Sequence, residues 1–156
     1  MMARYVLVAL AFTLSACGAS SEATARGTIA TAAHVISAID AANAAAMSET
    51  RDHALETSES AHEFEGQRVP FYRTEEAIRG ARELLYATER GIDAAGADAL
   101  ASAAPCIVAA LLRLRALVSA VGSIPGVDIE VPGSLDGVLN FLAPFGGQCT
   151  ERDGMQ

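Results

Sequence analysis

Residues 98–121, DALASAAPCIVAALLRLRALVSAV, place Leu100, Ala104, Ile107, Leu111, Leu114, Val118 and Val121 at steps of three and four. Such steps return to one side of a 3.6-residue helix, so the segment is predicted to be a helix with its stripe on a core. Val108 and Leu112 add a second apolar edge, which marks this as the most buried helix of the chain. Asp98 or Ser102 caps it, and Pro105 is tolerable if it lies in the first turn after Ser102. A membrane span is the alternative for so apolar a run, but Arg113 and Arg115 stand in its middle and oppose it.

Working towards the N-terminus, Gly96 closes a second helix with the stripe Ile78, Ala81, Leu85, Thr88, Ile92 and Ala95. Glu75–Arg79 and Arg79–Glu83 are i, i+4 pairs on its wet face. Thr74 followed by Glu75 and Glu76 reads as its start, a capping hydroxyl and then acids at the positive end of the dipole. Before it, Phe64 to Arg73 contains Gly66 and Pro70 and is predicted to be a loop. That loop holds Phe64, Phe71 and Tyr72, flanked by Arg68 and Arg73, in a chain with only 5% aromatics. Aromatic and Arg side chains often carry interface energy, so Phe64, Arg68, Phe71, Tyr72 and Arg73 are the candidate partner-binding residues. The competing reading makes the aromatics a cap over the open end of a bundle.

The first helix is expected from about Glu22 or Ala25 to about His62, on the order of 60 Å at 1.5 Å per residue. Ile29, Ala32, Ala33, Ile36, Ile39, Ala46 and Met47 form its stripe. Ile29, Ile36, Asn43 and Thr50 fall seven apart, as do Ala32, Ile39, Ala46 and His53, a seam in which Asn43 would be a buried polar group setting register. Its second half is acidic, and such a run is usually a solvated face. Glu49, His53 and Glu56 share a face at i, i+4 and i+7, which permits a divalent cation as an alternative. No metal or cofactor is expected.

Beyond the third helix, Gly122, Pro125 and Gly126 stop the pattern. Val127, Ile129 and Val131 alternate with Asp128 and Glu130 as an extended segment, and Ser134 caps a short helix carrying Leu135, Val138, Leu139 and Leu142. The fold prediction is an all-α, up-down-up bundle of three main helices plus a short C-terminal helix. Residues 25–149 would form the bundle and 150–156 a flexible tail.

The N-terminus has a different logic. Arg4, an apolar run from Tyr5 to Leu14 and small residues at 15 and 16 describe a secretory signal, too short before Ser20, Ser21 and Glu22 to span a bilayer. Leu14-Ser15-Ala16-Cys17 resembles the lipobox of bacterial lipoproteins. The resemblance covers about the first 18 residues. It implies that residues 1–16 are removed, that Cys17 is lipidated, that residues 17–24 are a tether, and that the protein faces the periplasm. Gly18 in place of Asp suggests the outer membrane. With Cys17 assigned to lipid, Cys106 and Cys149 remain, and an even pair in an oxidising compartment is most simply a disulfide.

The 156-residue chain has net charge −8, which becomes −9 without Arg4, and all 11 basic residues are Arg. Such a chain is a poor binder of nucleic acid or anionic lipid surfaces. There is no Gly-x-Ser-x-Gly elbow, no phosphate loop ending in Lys, no Cys-x-x-Cys and no zinc-ligand cluster, and the chain is not expected to be an enzyme. The expected function is that of an envelope lipoprotein, a structural or partner-binding module with a membrane anchor and a protein partner. A periplasmic cation or small-ligand binder, and a phage-encoded lysis lipoprotein of the outer-spanin kind, are the alternatives.

Overall fold

The computed structural model describes the backbone of residues 3–57 and 61–149, with side chains for residues 21–57 and 65–149. Four α-helices follow one another: α1 (Ala3–Thr57), α2 (Ala61–Ala95), α3 (Asp98–Val121) and α4 (Ser134–Leu142), with a 3-10 turn at Ala143–Phe145. No strand occurs among the described residues. The expected tail from Thr150 lies outside the described residues.

Three long helices alternate in direction. Arg26 and Arg82 fix the first pair, since Arg26 reaches Asp93 at 2.7 Å while Arg82 reaches Asp40 at 2.8 Å. As α1 advances, its partners on α2 therefore recede. Gly96, at φ 70°, turns the chain from α2 into α3, a conformation that costs Gly least. Close to this turn the two helices nearly touch, since a Cβ at Gly91 would lie 3.1 Å from that of Ala99. Small residues thus bring the helices together where bulky ones would hold them apart. Short α4 packs against α1 and α3, with Arg115 joined to Asp136 at 3.0 Å.

All seven residues of the α3 stripe are buried. The core they enter contains Ile29, Ala32, Ile36 and Ile39 from α1, Ile78, Leu85 and Ile92 from α2, and Leu135, Val138 and Leu142 from α4. In α1 the seam Ile29, Ile36, Asn43 and Thr50 is buried throughout, whereas Ala33 is exposed and Val35 occupies the core instead. Met47 is only half-buried and His53 is exposed, so the second seam stops at Ala46. In α2, Ala95 is exposed beyond the last buried turn. Val127, Ile129 and Val131 are half-buried and their neighbours Asp128 and Glu130 exposed, as an alternating extended segment requires.

Three boundaries differ from expectation. The helical backbone of α1 passes through residues 17–24, expected as a tether; α1 is described as far as Thr57, and His62, expected near its end, stands in α2. Next, Phe64–Arg73 is not a loop: α2 begins at Ala61 and runs through both Gly66 and Pro70. Thr74 is consequently not a cap, and its hydroxyl donates to the Pro70 carbonyl at 2.9 Å inside the helix. The physical reason is burial. Phe71 and Thr74 prolong the three-and-four rhythm of Ile78, Ala81, Leu85, Thr88 and Ile92 backwards into the core, and that gain outweighs the bond Pro70 cannot donate. Third, of the two expected starts of α3 the earlier holds to within a residue: the helix begins at Asp98 with Ala97 as its cap, so Pro105 stands in the helix interior and Ser102 donates to the Asp98 carbonyl at 3.1 Å instead of capping.

Cys106 and Cys149 are bonded, with their Cα atoms 4.6 Å apart. The chain after α4 therefore runs back to the middle of α3. Gly147 lies against Pro105, where a Cβ would approach the proline ring to 3.3 Å. Its φ of 106° also favours glycine.

Candidate functional site

The bundle has two ends of different chemistry, and the candidate residues Arg68, Phe71, Tyr72 and Arg73 lie towards one of them. At the end formed by the C-terminal half of α1 and the start of α2, Phe71 is completely buried against Ala46 and Val121. Met47, Ile124 and Val127 pack around the same cluster. Phe71 is thus a core residue, which removes it from any exposed docking surface. Asn43 lies beside it, its Nδ2 donating to the Phe71 carbonyl at 3.4 Å while its buried Oδ1 has no partner.

Tyr72, one position on, turns outward and is 41% exposed. The Arg68 guanidinium stacks over its ring at 5.0 Å from the centroid and also pairs with Glu65 at 3.2 Å. An Arg over an aromatic face gains cation–π attraction while keeping its donors outward. Arg73 and Val69 are exposed beside them. A shallow cleft of about 250 Å³ between α1 and α2 is lined by Ala44, Met47, Ser48, Arg51 and Arg68. The structure therefore brings Arg68 and Tyr72 together in the N-terminal part of α2, with Arg73 exposed one residue on. The side chain of Phe64 lies outside the described residues. Tyr86 and Arg90 repeat the stacking at 4.8 Å farther along α2, so the i, i+4 Arg–Tyr pair is not peculiar to this end.

Glu49, His53 and Glu56 are all exposed on α1. Among the described residues no group of three or more His, Cys, Asp or Glu side chains converges as metal ligands would.

The opposite end is built from the start of the packed part of α1, the α2–α3 turn and the end of α4. Sequence reading missed it. Ser21, Thr24 and Ala25 face Ala97, Asp98, Leu100 and Ala101 across an open cleft of about 300 Å³, with Phe141 and Phe145 on its rim. The two phenylalanine rings are 6.1 Å apart, tilted by 51°, and 40% and 42% exposed. In α4 the inward set is Leu135, Val138 and Leu142, which leaves Phe141 on the wet side. An aromatic off the apolar stripe of a short helix was the signal available. Near this end Arg26 bridges Glu22 at 2.8 Å and Asp93 at 2.7 Å. Hydrogen bonds to Glu22 and then to Asp93 raise its pKa above the ordinary arginine value.

By length and composition alone, Ser21–Thr57 and Asp98–Val121 could each cross a membrane. In the bundle both contribute their apolar faces to the shared core, and Arg113 and Arg115 are exposed midway along the second.

No protein family, curated protein or solved structure matches the chain.

Proposed function

We propose that this protein is a lipid-anchored module of a bacterial envelope, held at the outer membrane through Cys17 and presenting its helical bundle to a protein partner in the periplasm. The observation that carries the reading is Leu14-Ser15-Ala16-Cys17 behind a short apolar run and Arg4. The Cys106–Cys149 bond supports it, because disulfides persist in oxidising compartments and are rare in the cytosol. The anchored end is the start of α1. The end carrying Arg68, Tyr72 and Arg73 projects away from the membrane and offers an exposed aromatic–arginine surface of the kind that concentrates interface energy. The role proposed for this surface is binding.

The test is the Cys17→Ser variant. The parent is expected in the detergent phase with acyl mass on the peptide that begins at Cys17, and the variant in the aqueous phase. Retention of the variant in the detergent phase would overturn the anchor. For the partner surface, a photo-crosslinking residue at position 72 is expected to capture an envelope protein that the same residue at exposed position 113 does not.

A further inference from the structure

We propose that Phe141 and Phe145 form a second membrane contact, seating the base of the bundle in the headgroup layer of the bilayer that holds the lipid anchor. This rests on the proposed acylation of Cys17. The first argument is position. Cys17 precedes Ser21 by four residues and Thr24 by seven along the helical backbone of α1, and Ser21 and Thr24 line the same cleft as Phe141 and Phe145. One turn of helix is about 5.4 Å. The anchor and the aromatic pair are therefore held within a turn or two of each other along α1, and a bilayer that takes up the acyl chains reaches the rings as well.

The second argument is chemistry. Two large apolar side chains, each about two-fifths exposed, sit side by side at an end where most core residues are covered. The cleft beneath them is lined by Ala25, Ala97, Leu100 and Ala101 and holds one acid, Asp98. Glu22, Arg26 and Asp93 are tied to one another near the base, which lowers the cost of bringing those charges to an interface. Among the described residues no cluster of basic side chains stands at this end to attract anionic headgroups, so apolar insertion is the driving term and a zwitterionic surface suffices. The acyl chains hold the N-terminus at the bilayer, and a second apolar contact fixes the orientation of the bundle on it. The bundle then stands on the membrane instead of swinging from its anchor.

The chain contains no Trp, so single substitutions report without background. Full-length acylated protein is purified as the parent, as Phe141→Trp, as Phe145→Trp and as Tyr72→Trp, and reconstituted into phosphatidylcholine vesicles. Acyl mass on the Cys17 peptide and flotation with the vesicles read the anchor. Quenching of Trp emission by lipids spin-labelled near the headgroup reads the base. The expected result is a blue-shifted emission with severalfold stronger quenching for Phe141→Trp or Phe145→Trp than for Tyr72→Trp. Acylated, floating protein in which both base positions are quenched no more than position 72 overturns this contact and leaves the anchor standing. Absence of acyl mass overturns the anchor and this inference with it. Circular dichroism of each variant, matching that of the parent, establishes that the bundle is intact.

Discussion

Asn43 has its side chain fully buried at the α1–α2 seam, with Nδ2 on the Phe71 carbonyl and Oδ1 unsatisfied. Replacing the amide by a carboxylate would turn an acceptor towards that carbonyl and bury a charge. Asn43→Asp is therefore expected to lower the unfolding free energy at neutral pH by about 3 kcal/mol or more. Burial raises the carboxyl pKa in the folded state, so the loss is complete above that raised value and shrinks as pH falls towards the unfolded value. Denaturant midpoints at neutral and mildly acidic pH check the sign. Two neighbouring aromatics separate on the same measurement. Phe71→Ala should cost about 3–5 kcal/mol, and Tyr72→Ala no more than about 1 kcal/mol, being a surface change. The buried character of Asn43 was legible from its seven-residue spacing with Ile29, Ile36 and Thr50. The contrast between Phe71 and Tyr72 was not, because a segment read as a loop has no inside face to assign.

At the level of the element, Pro70 explains that misreading. Pro is a reliable stop when the helix it interrupts has nothing to gain by continuing. Here α2 gains the burial of Phe71 and Thr74, which sit on the same stripe as Ile78 to Ile92. The signal was present as rhythm but was overruled by composition. Pro70→Ala restores an N–H for the Gly66 carbonyl, and the unfolding free energy should rise by about 1–3 kcal/mol. A lower denaturant midpoint would mean that the proline ring's own packing outweighs the recovered bond. α3 was read almost entirely from its stripe, and its start was left between Asp98 and Ser102 by the same caution over Pro105. Its disulfide to the tail closes a loop across a separation of 43 residues. Cys149→Ser is expected to cost about 2–4 kcal/mol by loop-closure entropy, read as a lower melting temperature that reducing agent does not lower further.

Across the whole molecule, apolar packing and a few surface ion pairs divide the work unequally. Arg82–Asp40 and Arg115–Asp136 are half-exposed, and such pairs contribute about 0–1 kcal/mol. The chain carries a net charge of −8, so repulsion among its acids opposes compaction. Sodium chloride at 1 M, which shortens the Debye length to about 3 Å, is therefore expected to leave the melting temperature unchanged or raise it. A fall would show that specific ion pairs hold the bundle. The number of helices and their alternation were legible from periodicity and from Gly96 and Gly126. Which helix ends meet was not, since the approach of Phe141 and Phe145 to Ser21 and Thr24 depends on how the segment after α3 folds back. Side-chain spacing within a helix carries no information about that return.

The bond between Cys106 and Cys149 also orders events in time. Synthesis delivers Cys106 first and its partner 43 residues later, so a growing chain carries one unmatched thiol while α4 is still being made. The sole competitor in the sequence is Cys17. A thioether to lipid at that position, as proposed, removes the competitor, and Cys106 is left with one possible match. On the proposed reading, acylation thus protects the pairing of Cys106 with Cys149. A chain without the lipid keeps a third thiol open to mispairing.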